Sequence, residues 1–152
     1  MAPLLGNHFS EPIREELATR NLKIKGVIKV YCSFARKEKR FIIIGEKYDH
    51  SGFALLYINS EINENMFPSE EQKNEHVLIS QEGRSYLSKD SYVNCTQMVY
   101  KDRGDLMDLL VNHPEAHLGE FSDNDYKLVR DKVCDSKIIT AGKKKEYGVF
   151  LK

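Results

Sequence analysis

The chain has 152 residues, of which 41% are hydrophobic and 30% charged, and its 23 Lys and Arg are matched by 23 Asp and Glu. That length and balance fit one domain with its own core and exclude a polybasic protein whose whole surface seeks phosphate. No stretch reaches the ~18 apolar residues needed to span a bilayer, and residues 1–17 lack a basic start followed by an apolar run, so a cytoplasmic protein without a membrane partner is expected.

Neutrality is an average over unlike regions. Residues 20–47 carry nine Lys and Arg against Glu38 and Glu46, a local excess of seven positive charges. Residues 102–135 run the other way, with nine Asp and Glu against Arg103, Lys127, Arg130 and Lys132. The stretch 137–152 is basic again, with five lysines against Glu146. Cys32, Cys95 and Cys134 are odd in number and widely spaced, which supports neither a disulfide framework nor a zinc ribbon, and reduced thiols are expected. The five histidines form no HExxH or HxH pattern, so no metal and no cofactor are expected.

In chain order, Ser10 ahead of Glu11 and Pro12 starts a helix, and residues 1–22 read as a helical extension in front of a single domain, 23–152. From Gly26 the period changes to two, with Ile28, Val30, Cys32 and Phe34 apolar and Lys29 and Ser33 polar between them, which predicts a half-buried strand. A charged turn over 35–39 follows. The run Phe41, Ile42, Ile43, Ile44 is apolar on both faces and predicts a central strand, and KYDHSG is a turn before the strand FALLYIN. Residues 60–75, with five acids, one lysine, Asn63, Asn65 and Pro68, read as a long exposed loop of the kind that is often functional.

HVLIS and YVNCTQM are two further strands. Helical spacing appears only later, in Leu106, Leu109 and Leu110 before His113 and Pro114, and in Leu128, Val129 and Val133 behind a Ser122 cap. The final YGVFL reads as an edge strand. Strands first and helices later predict a mainly β (α+β) fold, a small curled barrel with two C-terminal-side helices packed at one end.

Phosphate-loop, dinucleotide and hydrolase-elbow motifs are all missing. What stands out is an ordered set of weaker signals. Arg40 begins the buried strand RFIIIG, Asn59 and Ser60 end the next strand, and Asp90, Ser91, Tyr92 and Val93 run without a gap through Gln97 to Asp102, with LGEFS between the two helices. In this order the parts from Gly26 to Ile139 resemble the MazF/PemK superfamily of toxin components.

That resemblance implies an SH3-like barrel, commonly a homodimer, which cleaves single-stranded RNA without a metal and is silenced by an antitoxin protein. Such cleavage uses the ribose 2′-hydroxyl as nucleophile, so it needs a base for the hydroxyl proton and a fixed cation for charge on the scissile phosphate. Arg40 is assigned the second role, because its planar fork suits phosphate oxygens. Asn59 and Ser60 are assigned hydrogen bonds to that phosphate. Arg36, Lys37 and Lys39 are assigned to RNA binding, together with Tyr57, whose ring, like those of Tyr31 and Phe34, offers a surface for a base.

The chain also departs from the family. The family's glutamate lies a few residues before the arginine, a spacing that falls on Ala35 here, and Glu38 is the substitute base assigned in its place. Phe41 stands where the family commonly has proline. An alternative reading follows from the missing glutamate: a catalytically degenerate barrel that binds a protein or nucleic acid, using the acidic loop 61–75 and the N-terminal helix as contact surfaces.

Overall fold

The computed structural model describes residues 10–32 and 36–150. Helix α1 (Glu11–Asn21) leads into strands β1 (Gly26–Cys32), β2 (Lys37–Glu46) and β3 (Gly52–Asn59). A short helix α2 (Glu70–Asn74) precedes β4 (His76–Ile79), β5 (Ser91–Asn94) and β6 (Val99–Asp102). Then come α3 (Arg103–Asn112), β7 (His117–Glu120), α4 (Asp123–Cys134) and α5 (Ala141–Glu146). The fold is α+β: one curled antiparallel sheet of seven strands in the order β4-β5-β3-β2-β1-β7, with β6 also pairing β3. Irregularities between Val27 and Ile28 and between Ile43 and Gly45 break the ladder register and bend the sheet.

Strand β2 explains why the sheet is buried on both faces. Its apolar run sends Ile42 and Ile44 to one side and Phe41 and Ile43 to the other, and all four are fully buried. The first side packs with Leu56, Ile58 and Val93 against Val129 and Val133 of α4 and against Tyr147 and Val149. The second packs with Phe53 and Leu55 against Ala18 and Leu22 from the α1 end and Leu106 and Leu110 of α3. Gly45 is required where the C-terminal segment crosses β2, since a Cβ there would stand 2.5 Å from the Tyr147 carbonyl oxygen.

Several elements differ from the sequence reading. Residues 37–39 belong to β2 and not to a turn, because Cys32, Tyr31 and Val30 of β1 face Lys37, Glu38 and Lys39 in a continuous ladder. Phe34 and Ala35 lie outside the described residues. The expected strand YVNCTQM is strand only over 92–94, within β5, and residues 95–98 leave the sheet before β6 begins at Val99. Asn94 Oδ1 accepts from the Thr96 amide at 2.9 Å and the Thr96 hydroxyl at 2.6 Å, which turns the chain out of the sheet before β6 rejoins it.

The stretch HLGE is a strand against β1, and residues 60–75 contain α2, closed by a Ser69/Gln72 capping box. Residues 147–150 form no strand. They follow α5, which is capped by Thr140, and they bury Tyr147 and Val149 in the core. Among the described residues no helix is long and apolar enough to cross a membrane.

Candidate functional site

The basic first half of β2 and the end of β3 meet in a cleft of about 520 Å³. Strand β2 contributes Lys37, Glu38, Lys39 and Arg40, and β3 with its next residue contributes Tyr57, Ile58, Asn59 and Ser60. The opposite wall comes from the loop after β3, through Glu61, Asn63, Met66 and Phe67, and from Lys89, Ser91, Asn94 and Gln97 around β5. Seven of the eight residues assigned from the sequence therefore line one cleft. The eighth, Arg36, does not line it: it sits exposed in the turn before β2 with φ of 53°. Tyr31 is 63% exposed on β1 and also stands outside the cleft lining.

Register explains the convergence. Arg40 faces Ile58 across the β2–β3 ladder, and one step further along Lys39 Nζ donates to Asn59 Oδ1 at 3.4 Å. Tyr57 is rooted in the core by its ring contact with Phe41, centroid to centroid 4.6 Å. On the other side of β2, Arg40 faces Lys29 of β1, and Lys29 Nζ reaches Glu38 Oε2 at 3.4 Å. Glu38 is thus already engaged by a cation.

Arg40 is the exception in this arrangement. Its Nε is buried with no hydrogen-bond partner, and among the described residues its guanidinium forms no ion pair. A buried donor left unmatched costs about 1–3 kcal/mol. The cleft lining holds Lys37, Lys39, Arg40 and Lys89 against Glu38 and Glu61, so positive charge is in excess where that donor sits. The second large groove, lined by Lys23, Lys25 and Arg103 among others, differs: there the cations pair with Glu120, Asp123 and Glu46 respectively.

Polar groups near β5 are mostly occupied with local structure. Asp90 Oδ1 accepts from the Gln81 amide at 2.9 Å, and Ser91 Oγ donates to the Lys89 carbonyl at 2.9 Å, so this pair holds its loop. Gln97 is exposed. The Cys95 and Cys134 thiols are poor nucleophiles, since burial pushes Cys95 up to about 12 and also raises Cys134. Among the described residues no group of three or more His, Cys, Asp and Glu is gathered as for a metal ion.

The loop wall was not foreseen from the sequence. Its path depends on Asn63 Oδ1, which accepts from the Asn65 amide at 2.9 Å, and on Phe67, whose ring meets His76 edge-on at 4.7 Å. At its far end the buried Glu75 accepts from the Ser136 hydroxyl and from the Lys137 amide, tying the loop to the end of α4. The Ser69-x-x-Gln72 spacing was the one local signal that this segment is built and not merely exposed. Compared with protein-family models and with curated proteins, the chain matches none of them.

Proposed function

We propose that this protein is a toxin-like endoribonuclease that cleaves single-stranded RNA in the β2–β3 cleft by a metal-independent route, on a barrel of the SH3-like kind found in the MazF/PemK superfamily. The observation that carries the reading is Arg40. An arginine with a buried, unmatched Nε in a cleft of excess positive charge is arranged for an anion, and a planar guanidinium fits two phosphate oxygens at once. Lys37 and Lys39 are then placed to follow the flanking phosphates, Asn59 and Ser60 to donate to the scissile group, and the Tyr57 ring to offer a face to a base.

Beyond these contacts the chemistry needs a base for the 2′-hydroxyl proton. Once the strand is held, the neighbouring 2′-hydroxyl attacks phosphorus, and a fixed cation stabilises the charge that grows on the phosphoryl oxygens. An antitoxin protein and a homodimer belong to the same proposal. A long single-stranded RNA incubated with the protein in EDTA is the test. Cleavage is expected, with Arg40→Ala slower by about 10²–10³-fold, the usual effect of deleting one such donor. Cleavage at the native rate by Arg40→Ala would remove the basis of the reading.

The binding-module alternative draws on a different contact, the engagement of Glu38 by Lys29. It predicts that the protein retains a labelled single-stranded RNA in a salt-sensitive complex and leaves it whole.

A further inference from the structure

The cleft contains a second carboxylate, Glu61, at the start of the acidic loop. We infer that Glu61 is the general base that takes the proton of the ribose 2′-hydroxyl, an assignment that rests on the ribonuclease reading above. Glu61 follows Ser60 directly, is exposed, lines the same cleft as Arg40, and among the described residues forms no hydrogen bond or ion pair. Glu38 lines the cleft too, but Lys29 Nζ stands 3.4 Å from its Oε2. Of the two carboxylates, only Glu61 has all its oxygen lone pairs open to a substrate.

Position supports the same choice. Glu38 and Arg40 lie two residues apart on one strand and so share a face of β2, where both neighbour Lys29. Glu61 approaches from the β3 end, where the chain turns into the Met66 and Phe67 wall. Among the described residues neither glutamate forms an ion pair or hydrogen bond with Arg40, so the cleft holds an unneutralised cation and a separate free carboxylate. On this assignment a phosphodiester seated on Arg40 presents its ribose toward Glu61.

The step balances without a metal or an oxidant. The 2′-hydroxyl proton passes to the Glu61 carboxylate, the 2′-oxygen bonds to phosphorus, and the P–O5′ bond breaks. The leaving 5′-oxygen takes a proton from water. The products are a 2′,3′-cyclic phosphate and a 5′-hydroxyl end, and Glu61 returns its proton to solvent.

The experiment measures kcat, KM and the pH–rate profile on a labelled single-stranded RNA in EDTA, for the wild-type chain, Glu61→Gln, Glu61→Asp and Glu38→Gln. Glu61→Gln is expected to lose about 10²–10⁴-fold in kcat with KM little changed and to lose the acidic limb of the profile. Glu61→Asp is expected to recover part of the rate, and Glu38→Gln, whatever its rate, to keep the acidic limb of the profile that Glu61→Gln loses. Glu61 is exposed, so its replacement is expected to leave the fold intact, and an unchanged melting temperature checks this. Wild-type cleavage together with native-rate cleavage by Glu61→Gln overturns this assignment alone. Absence of cleavage by the wild-type chain overturns the ribonuclease reading and the assignment with it.

Discussion

Replacing Arg40 by methionine separates the cost of this residue to the fold from its use to the site. Methionine keeps an unbranched stem of similar reach and removes the guanidinium, so apolar contact along β2 is largely retained. Two unfavourable effects disappear. The buried Nε no longer lacks a partner, which is worth about 1–3 kcal/mol, and the like-charge pairing with Lys29 directly across the ladder is relieved, worth a few tenths to about 1 kcal/mol. The folded state is therefore expected to gain at least about 1 kcal/mol, a rise of about 2–4 °C in Tm for a chain of this size. Thermal unfolding followed by circular dichroism reads the change. A second arm adds a 2′-O-methyl oligonucleotide, which cannot be cut: it should raise the Tm of the wild-type protein, by the equivalent of about 2.7 kcal/mol at a hundred times Kd, and leave Arg40→Met nearly unmoved. A Tm that falls in Arg40→Met would mean that Arg40 is held by the fold, and would refute the view that it waits for an anion.

Three further outcomes follow from other parts of the molecule. Ile42→Ala empties a fully buried site between β2 and α4 and should cost about 2–5 kcal/mol in urea unfolding, with the slope of the transition unchanged. Arg84 holds Asp125 through two bonds, Nε to Oδ2 at 2.7 Å and Nη2 to Oδ1 at 3.0 Å, and this contact keeps the Asp125 carboxyl below its usual range. Asp125→Asn should accordingly lose about 1.5–3 kcal/mol at pH 7, and the loss should shrink as pH falls through the carboxylate range, where the native aspartate protonates as well. His76 is held below its ordinary value of 6.5 by burial, with Nδ1 bonded to the Gln72 carbonyl at 2.8 Å and Nε2 buried without a partner. Above that value the imidazole is neutral in both folded and unfolded chains and its contribution is complete. Below it the unfolded chain takes up a proton that the folded ring resists, so stability should decline with acid, less steeply in His76→Gln.

How much of this was legible in the sequence varies by residue. The run 41–44 announced a strand apolar on both faces, and Ser122 announced the start of α4, because each signal is local and chemically unambiguous. The break between β5 and β6 was hidden, since Asn94 reads as a polar strand residue until its side chain is seen to capture Thr96. Lys37, Glu38 and Lys39 looked like a turn because charge usually marks one, whereas here a long hairpin carries its ladder beyond the core. The gathering of Arg40, Asn59 and Ser60 was foreseeable from strand order. Glu61 and Phe67 were not, because their places depend on a loop anchored by Glu75 to Ser136, a contact sixty-one residues away in the chain.

Strand β3 carries two partners in tandem along one edge, and they hold it unequally. The β6 ladder matches four residue pairs, from Gly52 with Asp102 to Leu55 with Val99, whereas β5 is registered only through Ile58 with Val93 and Asn59 with Tyr92. The β4–β5 hairpin thus hangs from the sheet on a short seam, and that seam borders the cleft. Amide protons of β5 should exchange with solvent well before those of β2, and each such opening parts the wall bearing Ser91 and Asn94 from the one bearing Arg40. Any ligand too bulky for the resting cleft would enter through this breathing of the hairpin, and exchange measured at the β5 amides reads how often the two walls part.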